Sequence, residues 1–217
     1  MAEAVHEEKL NVVTHALGLA CATAAVGVLL SAALRRGGRW QVTACAIYAT
    51  TLVAAYAAST LSHLFTDGVL RRAFRIADQA IIFLFIAGSY TPVSVAWLRG
   101  GGWWALFAAV WIVALIGFFS KALFAHRVHV GAVSIALYVL LGWLPLAAFI
   151  PTFSTLPRGL IGWVWAGGLC YTAGTLFFTY DNRVPYFHAA WHLLVLAGST
   201  CHYLGILLYC TGTPPPL

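Results

Sequence analysis

Seven long stretches that lack Asp, Glu, Lys and Arg constrain this chain more than any other feature of its sequence. The shortest of them, 79–98, contains 20 residues. A helix needs about 20 apolar residues to cross the hydrocarbon core of a bilayer, so each stretch can span a membrane once, and none is long enough to span it twice with a turn. The charge-free stretches are 10–34, 40–66, 79–98, 100–120, 128–157, 159–180 and 184–217.

The composition agrees with a membrane protein. Charged residues make up 8% of the 217 residues, where soluble domains carry about 25%. Hydrophobic residues make up 62%, and the mean hydropathy is +0.88. Spanning strands of a barrel would be alternating segments of about 10 residues, which these are not. The sequence therefore predicts one all-α integral membrane domain over 1–217, a bundle of seven transmembrane helices. The predicted spans are 11–34, 40–65, 77–98, 102–120, 129–150, 159–180 and 186–210.

The distribution of Lys and Arg predicts the orientation. The side that carries the N-terminus has seven of these residues and the opposite side has five, which favours a cytoplasmic N-terminus and an external C-terminus in the plasma membrane. The net charge of +6 indicates contact with anionic lipid headgroups rather than with nucleic acid, because the basic residues lie beside the predicted spans. The five cysteines have no CxxC spacing and an odd total, so neither a disulfide framework nor a thiolate metal site is expected.

Polar residues near three predicted membrane ends carry most of the functional signal. Ser59 and His63 lie at the end of the second helix, Asp78 at the start of the third, and His188 and His192 at the start of the seventh. In a bundle whose helices alternate in direction, the end of every even helix and the start of every odd helix face the same side. These residues are therefore predicted to share one side of the membrane, the cytoplasmic one.

Spacing predicts a metal site among them. His188 and His192 are four residues apart, which places two imidazoles on one helix face, and His63 adds a third. A tetrahedral zinc ion with three protein nitrogens keeps its fourth position open, as catalytic zinc sites do. Asp78 could then accept a hydrogen bond from a ligating imidazole or from water at the metal. The alternatives are that the histidines are interfacial hydrogen-bonding residues and that Asp78 pairs with Arg75.

The remaining histidines are expected to do other things. His15, at the start of the first span, either lines the site or belongs to a helix start that Asn11 and Thr14 cap; lining is favoured over ligation. His202 lies ten residues beyond His192, about 15 Å along the helix, too far to bind the same ion, and is expected to form a hydrogen bond between helices. Two histidines in the basic loop between the fourth and fifth helices are predicted to be solvated, His126 and His129.

Taken together, these motifs resemble those of hemolysin III proteins, which belong with the progestin and adipoQ receptors. The resemblance extends from Glu8 to about Tyr203. One departure is Ser62, where the family commonly has tyrosine. The matching positions are Glu8, Asn11, Thr14, His15 and Gly18, then Ser59 to His63, then Asp78 with Ile86 to Pro92, and finally His188 to His192 with Gly198 and His202.

The resemblance implies a seven-helix membrane protein with Zn²⁺ near the cytoplasmic face. His63, His188 and His192 would be its ligands, with Asp78 and Ser59 beside the zinc-bound water. It suggests a zinc-dependent hydrolase of a membrane lipid amide or ester, similar to a ceramidase, in which Asp78 acts as the general base and Ser59 orients water or substrate. The alternative is a non-enzymatic protein, either a pore-forming cytolysin or a regulator of membrane-lipid homeostasis in which zinc is structural.

Overall fold

A computed structural model describes residues 2–66, 68–97, 103–125, 130–149 and 156–212, and this part of the chain contains seven helices and no strand. The predictions for His126 and His129 lie outside these residues. The helices are α1 (Ala2–Arg36), α2 (Arg39–Leu64), α3 (Gly68–Trp97), α4 (Trp103–Phe124), α5 (Val130–Phe149), α6 (Arg158–Tyr180) and α7 (Phe187–Tyr209).

Six of the helices in the described part of the chain are long and apolar enough to cross a membrane. The apolar segment of α5, Val133–Pro145, is shorter than these six. Large apolar side chains lie on the outside of the bundle, as in Leu34, Leu123 and Leu176, each exposed over more than 60% of its surface. Apolar surface of this kind is expected where the solvent is lipid. The prediction of an all-α integral membrane protein is therefore confirmed.

Two helices begin nine residues before their predicted spans. The first helix starts at Ala2 and the third at Gly68, because the charged residues that mark a membrane boundary do not end a helix. In α3 the segment before the span carries Arg71, Arg72 and Arg75 and continues the same helix into the polar region. The additional turns place charged side chains of α1 and α3 beside the end of α2.

Consecutive helices pack against each other, and α7 also packs against α1, so that the bundle closes. The contact between α2 and α3 is the most extensive, and that between α5 and α6 is the least extensive among consecutive helices of the described residues. Small residues allow the closest approaches. A Cβ added at Gly88 of α3 would lie 2.2 Å from the Thr51 hydroxyl of α2, and one at Gly174 of α6 would lie 2.6 Å from the Trp191 ring of α7.

A tight turn joins the first two helices. α1 ends at Arg36 and α2 begins at Arg39. A Cβ added at Gly37 would lie 2.5 Å from the main-chain oxygen of Thr211, so the turn also packs closely against the end of α7. The Gly38 amide donates to the Gln41 side chain at 3.1 Å, which satisfies one of the free amides at the start of α2. This turn fixes the direction in which α2 carries its histidine to the other end of the bundle.

Candidate metal centre

Three histidines from two helices converge at one end of the bundle. His63 comes from the last turn of α2, and His188 and His192 come from the first two turns of α7. One ligand nitrogen from each lies within 4.8 Å of the other two, so the group could hold a metal ion. His63 and His192 are buried and His188 is half-buried. The structure thus brings together the three histidines that alternation of the helices and their spacing placed on one side.

The separation of the ring nitrogens fits a tetrahedral ion. His63 Nε2 and His188 Nε2 lie 3.3 Å apart. With zinc–nitrogen distances of about 2.0–2.1 Å, two nitrogens at tetrahedral positions are about 3.3–3.4 Å apart. His192 completes the group, with its ring centroid 5.0 Å from that of His63 and 4.6 Å from that of His188. The donor set of three neutral imidazoles is one that zinc commonly takes in proteins.

The two imidazoles of this pair have carboxylate partners at their other nitrogens. His188 Nδ1 lies 2.7 Å from Asp181 Oδ2, and His63 Nδ1 lies 3.4 Å from Glu8 Oε1. Glu8 also pairs with Arg71 at the start of α3. Metal-ligating histidines usually have an acceptor at the nitrogen that does not bind the ion, which fixes the tautomer and the ring orientation. The Asp181 carboxylate meets this condition for His188, whereas Glu8 lies near His63 Nδ1 without a hydrogen bond to it among the described residues.

The third imidazole is held by a hydroxyl. His192 Nδ1 lies 3.2 Å from Thr14 Oγ1, and the same oxygen lies 2.8 Å from the Leu10 carbonyl and 3.0 Å from that of Asn11. Since the hydroxyl proton is donated to a main-chain carbonyl, a lone pair of Oγ1 accepts the N–H of His192. Capping of the helix by Asn11 and Thr14 is wrong, because α1 begins nine residues before Asn11, at Ala2.

Asp78 and Ser59 lie together on the wall beside the histidines. Their side chains are close enough to interact, and Asp78 also interacts electrostatically with His188. Ser59 is 2% exposed. Arg75 also interacts electrostatically with Asp78, although the two form no ion pair in the described part of the chain. Asp78 is also not the acceptor found at a ligand imidazole, since Asp181 and Glu8 occupy those positions.

Sequence reasoning missed the role of Asp181. Residues between α6 and α7 fold into a short turn in which Tyr186 has a positive φ of 64°, and the Tyr186 amide donates to Glu7 of α1 at 3.0 Å. This turn brings Asp181 back to His188, seven residues later. The signal was present, because Asp181 follows an even-numbered helix and therefore lies on the same side as the histidines by the argument that grouped them.

The other two described histidines of the bundle interior differ from these three. His15 is 5% exposed, and its ring centroid lies 3.7 Å from that of His192. Neither of its nitrogens has a hydrogen-bond partner among the residues that the structure describes. It lines the site, and the metal-binding group does not include it. His202 Nε2 lies 3.3 Å from the main-chain oxygen of Val164 in α6. It therefore forms the hydrogen bond between helices that was predicted.

A cavity of about 580 Å³ opens beside the histidines. It begins among polar side chains, including His63, Asp78 and Asp181, and runs between the helices to His202 and Ile206 of α7. Apolar residues of α3, α5 and α6 form much of its wall; they include Phe85, Val93, Ile135, Leu160 and Val164. The volume lies in the range of about 300–1,000 Å³ that is typical of small-molecule sites.

These features define an all-helical integral membrane protein with a candidate metal centre of three histidines at one end of an internal cavity. The sequence model of the family described as "Haemolysin-III related" matches residues 3–203. The chain belongs to this hemolysin III family.

Characterised relatives support the assignment over nearly the whole chain. The chain is 33% identical to "Hemolysin-3" of Bacillus cereus over 213 residues, which cover 98% of this chain and 96% of that protein. It is 31% identical to the "Hemolysin-3 homolog" of Bacillus subtilis (strain 168), with 97% of each chain covered. It is also 30% identical to the human "Monocyte to macrophage differentiation factor", over 96% of this chain and 87% of that protein. This last similarity supports the wider placement with the progestin and adipoQ receptors.

Proposed function

We propose that this protein is a zinc-dependent hydrolase of a membrane lipid amide or ester. The observation that carries the proposal is the group of three histidines, two of which, His63 and His188, line the polar end of a largely apolar cavity. An acyl chain fits the apolar part of such a cavity, while the bond to be hydrolysed lies at its polar end. The paired Asp78 and Ser59 on the same wall supply groups that could handle a proton there.

His63, His188 and His192 would hold the zinc ion. Zinc bound in this way polarises a carbonyl group and makes water acidic enough to be deprotonated near neutral pH. Asp78 would accept a proton at a carboxylate oxygen and later return it to the leaving group. Ser59, beside Asp78 in the cavity wall, would orient water or substrate. The imidazoles would be kept in place by Glu8, Asp181 and Thr14.

The proposed topology places this site at the cytoplasmic face of the plasma membrane. α5 has 20 residues, about 30 Å of helix, which is long enough to be the seventh span. Seven spans put the N-terminus and the histidines on one side and the C-terminus on the other. Arg71, Arg72 and Arg75 lie on the histidine side and would contact anionic headgroups, as basic residues of the cytoplasmic leaflet do.

The test is to measure bound zinc and lipid hydrolysis on the same purified protein in lipid nanodiscs. Ceramides and matched lipid esters are offered, and fatty acid release is followed by mass spectrometry. We expect about one zinc ion per chain and release of fatty acid by the wild type. His188→Ala should lose zinc and activity, and Asp78→Asn should keep zinc and lose activity by about 100-fold or more. His6→Ala, a change at an exposed histidine of α1, is the matched control.

Two outcomes would contradict the proposal in different ways. Wild-type protein without stoichiometric zinc would overturn the ligand assignment. Zinc-loaded protein that releases no fatty acid from any lipid would overturn the hydrolase and leave the regulatory role with structural zinc. The names of the two Bacillus relatives suggest cytolysis as a second candidate function. The same preparations are therefore added to vesicles that contain a fluorescent dye. Dye release that persists in His188→Ala would favour a pore-forming protein.

A further inference from the structure

Two buried side chains on α1 face the cavity with polar atoms that have no hydrogen-bond partner in the described part of the chain. Asn11 is 3% exposed and His15 is 5% exposed, and both line the cavity. Among the described residues, Asn11 Oδ1 has no hydrogen-bond partner, and neither does either ring nitrogen of His15. Buried polar groups of folded proteins are nearly always hydrogen-bonded, because leaving them unpaired in a medium of low polarity is unfavourable. Their partners are therefore expected to enter the cavity.

Their spacing makes them one recognition surface. Asn11 and His15 are four residues apart on α1, so they lie one turn apart on the same helix face. Neither position is explained by helix structure, because both lie in the interior of α1, where main-chain amides already have partners. Thr14, on the adjacent face, uses its hydroxyl to hold His192. The α1 helix thus carries one residue that supports the metal centre and two that are free to contact a ligand.

The chemistry of the pair defines what it can bind. Asn11 Oδ1 is an acceptor and needs an N–H or O–H group. A neutral imidazole has one donor and one acceptor nitrogen, so His15 can donate to a carbonyl oxygen. A secondary amide presents both complementary groups, an N–H and a carbonyl, within one planar unit. An ester presents the carbonyl alone and would leave Asn11 Oδ1 unpaired.

We infer that Asn11 and His15 bind the amide group of an acyl-chain ligand and select it over the corresponding ester, with Asn11 accepting the N–H and His15 donating to the carbonyl oxygen. This inference rests on the proposed function for the choice of an acyl ligand. The His15 ring lies against His192 at 3.7 Å between centroids, so a carbonyl held by His15 lies next to the metal centre. A site built to pair a polar group rejects the analogue that lacks it, because the protein group is then left buried and unpaired.

The inference is tested by equilibrium binding of three matched probes to the full-length protein in nanodiscs. The probes are N-propylpalmitamide, its N-methylated tertiary amide and propyl palmitate, which share the acyl chain and differ in the N–H. We expect the wild type to bind the secondary amide about tenfold more tightly than either other probe. Release of palmitate is measured in the same samples, so that a protein that binds with this preference and hydrolyses nothing contradicts the hydrolase alone.

Variants separate the two contacts. Asn11→Leu should remove the preference for the secondary amide and leave ester binding within about twofold of the wild type. His15→Phe should weaken all three probes by about three- to tenfold, because each has a carbonyl. Thr23→Leu and His6→Phe, at exposed positions away from the cavity, are the controls. Thermal unfolding of each variant checks that it is folded, and propyl palmitate binding by Asn11→Leu provides the same check at the cavity.

Two results would overturn the inference. Equal binding of the secondary amide, the tertiary amide and the ester by the wild type would show that Asn11 and His15 are paired with water alone. Loss of affinity for all three probes in Asn11→Leu, with the amide preference kept, would show that Asn11 supports the shape of the cavity rather than contacting the N–H.

Discussion

Two regions of α7 use the same residue type for different purposes. In its first two turns, His188 and His192 meet His63, and their outer nitrogens face Asp181 and Thr14. Ten residues beyond His192, His202 packs against Gly167 of α6 and forms a hydrogen bond with a main-chain oxygen of that helix. The comparison teaches that a buried histidine is recognised as a candidate ligand by convergence with other imidazoles and by side-chain partners at its outer nitrogen. Burial alone does not distinguish the two regions.

The contact between α6 and α7 at Gly167, Gly198 and His202 is called the glycine seam below. A Cβ added at Gly167 would lie 2.2 Å from the His202 ring and 3.0 Å from the Gly198 oxygen. The glycine seam is thus a packing contact in which the imidazole fills the space beside a bare backbone. The metal centre, in contrast, is an arrangement of side chains that point at a common position.

The largest expected effect separates the two histidines directly. His192→Ala should lower zinc affinity by more than about 100-fold, since it removes a ligand and loss of an outer partner alone commonly costs 10–100-fold. His202→Ala should retain about one zinc ion per chain. Metal analysis of both purified variants by mass spectrometry measures this. Equal loss of zinc in the two variants would erase the distinction drawn between the regions.

The outer partners of the imidazoles should matter in the order of their contacts. Asp181→Asn is expected to weaken zinc binding by about 10–100-fold, because its carboxylate lies 2.7 Å from His188. Glu8→Gln should have a smaller effect, since its contact with His63 is 3.4 Å, and Thr14→Val the smallest. Competition with a zinc chelator gives the three affinities. Thr23→Val, which removes an exposed hydroxyl from α1, is the control, and an effect of Asp181→Asn no larger than that control would contradict the assignment.

The glycine seam should respond in stability rather than in metal binding. Gly167→Ala is expected to lower the free energy of unfolding by about 1–3 kcal/mol, because the added methyl group overlaps the His202 ring. Gly162→Ala, on the same helix, has no atom within 4 Å of the added Cβ and should change little. Thermal unfolding in detergent compares the two variants. If both variants unfolded at the same temperature, the glycine seam would not be the close contact described here.

The smallest effect is expected between the two regions. The Tyr56 hydroxyl of α2 and the Ser199 hydroxyl of α7 are hydrogen-bonded at 2.5 Å, and both residues are buried. Tyr56→Phe should lower the free energy of unfolding by about 0.5–1.5 kcal/mol and leave zinc affinity unchanged. Tyr180→Phe, at an exposed position, is the control. A loss of zinc in Tyr56→Phe would show that the hydrogen bond positions the metal centre.

Much of the fold was predictable, because charge marks membrane boundaries and helices are the only segments that fit the charge-free stretches. Helix boundaries were less accessible: α3 begins at Gly68 because a helix continues through charged residues such as Arg71. Alternation and spacing were sufficient to group His63, His188 and His192. They did not reveal Asp181, because a charge between two spans marks a membrane boundary whether or not it also contacts a site. They also did not reveal that Asn11 is interior to α1, which depends on where that helix begins.

The most direct test of the account is zinc K-edge X-ray absorption on the purified wild-type protein and on His202→Ala. We predict the same spectrum for both, with nitrogen scatterers at about 2.0–2.1 Å and the outer-shell scattering of three imidazoles. A shell of sulfur at about 2.3 Å, or a fit without imidazole scattering, would contradict the claim that His63, His188 and His192 hold the metal.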